Sequence, residues 1–187
     1  MSSPYYAVQL ERGLQYQDFV TDYLQKQGIT ITNHSSRHYQ HTRGENKAGM
    51  EIKFDGKRKT TGNLYIEVAE KTDRDNPYYV QSGIWRECTE YVIGDYEIIY
   101  RLPILQLRKV YHLGTHREIE IKMRTSKGFC LPEKTAQLLA IAVYYPTLSQ
   151  EQQNAKEADR LNQIIASSEA AQVLGEIKHS GQKNLFD

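Results

Sequence analysis

The sequence predicts an α/β chain of the α+β kind, a mixed central sheet flanked by helices with a C-terminal helical extension. Three observations carry this. Tyr16, Phe19, Val20, Tyr23 and Leu24 fall at helical spacing within residues 8 to 27. Residues 50 to 71 hold two runs of strict apolar–polar alternation, the pattern of half-buried strands. From about residue 150 the chain returns to helical spacing. Helix, then strands, then helices is the order of an α/β or α+β domain. The expected division is an α/β domain over 1–146, a C-terminal helix over 147–178 and a tail over 179–187.

Each element has its own signal. Gly28 is a natural stop for the first helix. Ile29 to Asn33 alternates β-branched residues and suits a strand. Residues 34 to 48 are polar, with His34, His38 and His41, and read as a loop or a bent strand end. In Met50–Asp55 the residues Met50, Ile52 and Phe54 share one face, while Glu51, Lys53 and Asp55 share the other. The stretch Gly56–Asn63 is a basic turn. Leu64, Ile66 and Val68 then face inward, opposite Tyr65, Glu67, Ala69 and Lys71. Two such runs joined by a Gly-containing turn suggest a β-hairpin. Further strands are expected at 78–85, within 90–100 around a Gly94–Asp95 turn, and at 118–125. Residues 101 to 113 are ambiguous because Pro103 interrupts an apolar run. Pro132 opens a helix running to about Tyr145. Ser149 and Gln152 form a capping box before the last helix, whose apolar stripe is thin.

With 187 residues the chain can bury a core of ordinary size. At 39% apolar and 25% charged residues it is globular, and a formal net charge of +1 says nothing about partners. Contact with nucleic acid therefore requires local basic patches. No window approaches the roughly 18 apolar residues of a membrane span. The N-terminus lacks a basic region followed by an apolar run, so a cytoplasmic protein is expected. Cys88 and Cys130 lie far apart, with neither a disulfide framework nor a zinc spacing around them. The 14 tyrosines, against four phenylalanines, suit a core with wet hydroxyls or stacking on bases.

The chemistry concentrates on the expected hairpin. If its strands pair, Glu51, Asp55 and Glu67 converge with a lysine, and clustered carboxylates call for a cation between them. Oxygen ligands suit Mg²⁺ or Mn²⁺, which can activate water for attack on phosphorus. A helix carrying Glu11, a strand reading Gly-Met-Glu51-Ile and a strand reading Ile-Glu67 resemble the PD-(D/E)XK nuclease superfamily over about residues 8 to 100. The resemblance implies a restriction-endonuclease-like sheet and metal-dependent hydrolysis of DNA phosphodiesters. It makes Glu51 and Glu67 the metal ligands and Glu11 an accessory acid. The family's lysine follows the second acid by two residues, where this chain has Ala69. Lys71, one pleat further on, and Lys53, on the neighbouring strand, are the candidates for its place. An alternative registration takes Glu45 as first acid and Glu51-Ile-Lys53 as the acid-x-lysine strand, with a short span between the acids. Without a lysine in the site, the implied function is DNA binding without cleavage.

Two surfaces complete the reading. Arg37 and Arg43 precede the hairpin and Lys57, Arg58 and Lys59 form its turn, so these are candidate phosphate contacts. The C-terminal Gln182-Lys-Asn-Leu185-Phe186-Asp resembles the short peptide by which bacterial and phage DNA enzymes bind a sliding clamp. That resemblance makes Gln182, Leu185 and Phe186 the contacts, with the two apolar side chains contributing about 1.5–3 kcal/mol each on burial.

Overall fold

The computed structural model describes residues 4–30 and 49–182, with side chains from residue 8 to residue 168. It has two compact units, Met1–Thr147 and Leu148–Asp187. In chain order the first unit holds α1 (Pro4–Lys26), β1 (Met50–Phe54), α2 (Arg58–Thr61), β2 (Asn63–Glu70) and β3 (Val80–Gln81). A 3-10 turn at Gly83–Trp85 follows, then β4 (Glu90–Gly94), β5 (Ile99–Pro103), α3 (Ile104–His112), β6 (Glu118–Glu120), β7 (Ser126–Pro132), α4 (Glu133–Leu139) and β8 (Ala142–Tyr144). The second unit contains α5 (Gln150–Gln182). The architecture is mixed α+β, and its strands form two four-stranded sheets, ordered β1-β4-β5-β8 and β3-β2-β7-β6.

The expected hairpin between residues 50–55 and 64–71 does not form. β1 pairs in parallel with β4, from Met50 opposite Glu90 to Phe54 opposite Gly94. β2 pairs antiparallel with β7 and, at its far end, with β3. The basic connection between them folds into the single turn α2, and Gly62, at φ 65°, carries the chain into the second sheet. Alternation fixes which face a side chain takes but is silent on which strand lies alongside.

Three layers result in this unit. Tyr16, Val20 and Leu24 of α1 cover one face of the first sheet, against Ile52, Val92 and Ile99. The opposite face carries Tyr91, Ile93, Tyr100 and Leu102, and packs with Leu64, Ile66, Val68, Phe129 and Leu131 of the second sheet. Glu51 and Lys53 alternate with Ile52 and so project toward the second sheet. They do so from an edge strand, at the margin of the apolar layer.

The helix at 8–27 is present and stops at Gly28, which has φ 77°. The expected strand at 78–85 reduces to Val80–Gln81 before the 3-10 turn. The ambiguous stretch resolves as the end of β5 at Pro103, with α3 beginning at the next residue. The run at 118–125 is a strand only to Glu120, and a turn with Arg124 at φ 57° leads into β7. The helix after Pro132 ends at Leu139, and β8 completes the first sheet beside β5. At the start of α5 the capping box is reciprocal: Gln152 N donates to Ser149 Oγ at 3.3 Å and Ser149 N to Gln152 Oε1 at 3.0 Å. The helix reaches Gln182, past Gly175 and Gly181. No helix of the described residues is long and apolar enough to cross a membrane.

Candidate active site

β3 covers only Ala69 and Glu70 of β2, so among the described residues no strand lies beside residues 64–67 on that side. The backbone N–H groups there must find other acceptors. Two side chains take them, Asp55 just past the end of β1 and Tyr91 of β4. Tyr65 N donates to Asp55 Oδ2 at 2.8 Å, and Glu67 N donates to the buried Tyr91 hydroxyl at 3.3 Å. These contacts press the two sheets together where β1 ends, and they bring Glu67 to Lys53.

Lys53 Nζ lies 3.0 Å from Glu51 Oε1 and 3.1 Å from Glu67 Oε1. The two carboxylates are 14% and 13% exposed, and the lysine 28%. Glu67 is held by more than the lysine. Ser82 Oγ donates to its Oε1 at 3.0 Å and Ser126 Oγ to its Oε2 at 2.9 Å. The Tyr65 hydroxyl in turn bonds Ser126 Oγ at 2.9 Å. A β-bulge at Val68 follows Glu67 directly, a device that re-aims side chains beside a site. Burial by itself would raise the Glu67 carboxyl, but the Lys53 charge and the hydrogen bonds from Lys53, Ser126 and Ser82 outweigh it. The group is held below the ordinary value. Burial by itself would lower the Lys53 ammonium; the two glutamates override this and raise it.

The serines depend on close backbone approaches. Gly83, at φ 56°, leaves no room for a Cβ, which would stand 2.1 Å from Glu67 O. At Gly128, opposite Glu67 on β7, a Cβ would stand 2.2 Å from Ile66 O. Ser82, Ser126, Tyr91 and Arg86 were not read from the sequence as site residues. Their one sequence signal is a glycine inside or beside a strand, which marks close backbone approach.

The other candidates fall elsewhere. Lys71 is buried and turned away, its Nζ donating to Arg74 O and Asn76 O at 2.9 Å and lying 4.7 Å from the centroid of the Tyr79 ring. The chain leaves β2 at Glu70, so the alternation that would have aimed Lys71 at the site no longer holds. Glu11 is exposed on α1 and accepts a bond from Gln15 of the same helix. Arg58 is not an exposed phosphate contact. It is buried, donating from Nε and Nη2 to Asp95 at 3.2 and 2.9 Å and from Nη1 to Glu133 at 2.8 Å. Lys57 and Lys59 are exposed, and Lys59 pairs with Glu97. Arg37, Arg43, Glu45 and the three histidines lie outside the described residues, as do Leu185, Phe186 and the side chain of Gln182. Cys88 and Cys130 are half-buried free thiols.

The two carboxylate oxygens meet at the Lys53 ammonium, so a cation shared by both acids would have to use their remaining lone pairs. Mg²⁺ is commonly held by one or two carboxylates, with water and phosphate completing its shell. Among the described residues no third His, Cys, Asp or Glu side chain joins to make a larger ligand group. On Glu67, three of about four acceptor positions are taken, leaving room on Oε2.

No family model, curated protein or solved structure matches this chain. Fold and site together define an α+β protein whose two sheets meet at a pair of glutamates bridged by a lysine.

Proposed function

We propose that this chain is a divalent-metal-dependent nuclease of the PD-(D/E)XK type, hydrolysing phosphodiester bonds of DNA in the cytoplasm. The observation that supports it is the convergence of Glu51, Lys53 and Glu67 within 3.1 Å of one nitrogen. Two acids and a lysine are what such hydrolysis requires of the protein. Glu51 and Glu67 would hold Mg²⁺ or Mn²⁺, which when bound activates water and offsets charge on the phosphate. The Lys53 ammonium lies well above its ordinary range. It stays protonated at neutral pH and serves by stabilising negative charge at phosphorus, not by accepting a proton. Glu67, ionised and fixed by two serines, keeps its aim. Lys53 takes the place that Ala69 cannot fill, and it does so from the strand of the first acid.

The C-terminal Gln182, Leu185 and Phe186 extend the proposal to recruitment by a sliding clamp. Deleting residues 182 to 187 is expected to abolish clamp binding in a pull-down while leaving DNA cleavage intact.

The test is DNA cleavage by purified protein with Mg²⁺ or Mn²⁺, beside Glu51→Gln and Glu67→Gln. Each variant is expected to lose about a hundredfold or more of the rate. Equal cleavage by Glu67→Gln places the site elsewhere. DNA binding without cleavage by the wild type favours the alternative reading, an accessory protein in which Lys53 stands permanently where a metal would.

A further inference from the structure

The short turn after β3 brings a second cation to the site. Arg86 lies directly after the 3-10 turn, with its Nε 3.4 Å from Glu51 Oε1. Its Nη2 donates to Glu70 Oε1 at 3.0 Å and to Ser82 Oγ at 3.3 Å, the same hydroxyl that donates to Glu67. One serine thus joins the guanidinium to the second acid. The side chain is 45% exposed, and its Nη1 donates to nothing among the described residues. The planar head therefore lies beside the acids with Nε and Nη2 committed and Nη1 without a partner among the described residues.

The backbone beneath it is held more firmly than a surface ion pair requires. Arg108 of α3 donates from Nε to Ile84 O at 2.8 Å and from Nη2 to Arg86 O at 3.1 Å. Its guanidinium also lies 5.5 Å from the centroid of the Trp85 ring. Tyr111 and His112 contact the edges of that ring. Cys88 N donates to the Arg86 carbonyl as well, at 2.8 Å. A long flexible side chain is thereby given a fixed origin, which reduces the entropy lost when its head binds a ligand.

We infer that Arg86 is a phosphate-binding residue, its free guanidinium edge taking a non-bridging oxygen of the DNA phosphodiester next to Glu51 and Glu67. This rests on the nuclease reading for the identity of the strand. The charge balance says when it acts. Glu51, Glu67 and Glu70 face Lys53 and Arg86, so the cluster carries one net negative charge and disfavours a phosphate. A divalent cation held on the acids beside Lys53 would reverse that sign. Arg86 then contributes to DNA binding only when a divalent cation is present. Arginine suits the position because its two edges serve a carboxylate and a phosphate at once, which a lysine ammonium does not.

The test is binding of a fluorescent oligonucleotide, offered as single strand and as duplex, with Ca²⁺ as the divalent probe and with EDTA. Arg86→Gln is expected to bind about tenfold more weakly in Ca²⁺. It should show a salt dependence shallower by about one phosphate contact and be unchanged from wild type in EDTA. One uncharged methylphosphonate linkage, stepped along the strand, should weaken the wild type at one position and leave Arg86→Gln unaffected there. Arg86→Lys, which keeps the charge opposite Glu51 and Glu70, separates the two roles by retaining the melting temperature while losing affinity. A lowered melting temperature in Arg86→Gln with wild-type DNA affinity and salt slope overturns the inference, as does a wild type that binds neither form in Ca²⁺. The nuclease reading fails separately: Arg86-dependent binding without hydrolysis sinks that reading alone. Hydrolysis lost in Glu67→Gln but unaltered in Arg86→Gln sinks only the role of Arg86.

Discussion

Lys53 and Glu67 form a 3.1 Å ion pair although their strands belong to different sheets. The pair is therefore a tertiary contact that neither strand's own ladder enforces. Replacing Lys53 with methionine leaves Glu51 and Glu67 facing each other with only Arg86, 3.4 Å from Glu51, and the two serines on Glu67 to offset their charge. The expected cost is about 2–3 kcal/mol, less than a fully buried pair loses because the ammonium keeps some solvent. Urea denaturation checks this, and the Lys53→Met/Glu67→Gln double variant should recover part of the loss. A single variant as stable as wild type would mean that the two acids do not repel as placed.

Glu67 makes stability depend on pH in a defined sense. Its carboxyl is lower in the folded protein than the ordinary 4.5. Its stabilising contribution is complete above that unfolded value and is lost as pH falls through the lower folded value. The stability gap between wild type and Glu67→Gln should be constant from neutral pH down to about pH 5, then shrink below 4.5. A gap that stays constant through the acid range would show that lysine and serines do not hold the ionised form.

Gly83 tests the close approach behind Ser82. Gly83→Ala combines a left-handed φ with a Cβ 2.1 Å from Glu67 O, and should cost about 3 kcal/mol or more. Gly114 has a similar φ of 65° with nothing within 4 Å, so Gly114→Ala should lose only the conformational part, about 1 kcal/mol. Equal melting temperatures for the two variants would contradict the packing at Gly83.

Arg58 and its neighbours separate structure from surface. Arg58→Ala breaks a buried link between Asp95 and Glu133, and is expected to cost about 3–5 kcal/mol. Lys57→Ala should fall within about 0.5 kcal/mol of wild type. Calorimetry on the two proteins decides it, and a mild Arg58→Ala would return that residue to the candidate DNA surface.

Lys71→Met removes two charged hydrogen bonds to Arg74 O and Asn76 O. The loop they close should become more sensitive to limited proteolysis, with stability down by about 2 kcal/mol. The rate of DNA cleavage should be unaltered, whereas Lys53→Met should abolish it. The opposite pattern would restore Lys71 as the working lysine.

The sequence by itself determined which residues could share a face. Period-two alternation put Ile52 on one side of β1 with Glu51 and Lys53 on the other, and Glu67 opposite Ile66 and Val68. Gly28 and the Ser149–Gln152 box marked helix ends, because a left-handed stop and a reciprocal cap are settled by neighbouring residues. Only the tertiary structure decided what those faces meet. Alternation reads the same whether β1 pairs with β2 or with β4; the choice follows from burying both faces of the first sheet, which no local pattern encodes. That choice placed Lys53, not Lys71, between the acids. It also brought Ser82 and Ser126 to Glu67 from 15 and 59 positions away in the chain, and Arg86 to Glu51 from 35. The two glutamates were legible because each lies within a periodic strand, and their partners were not, because long-range hydrogen bonds leave no period in the sequence.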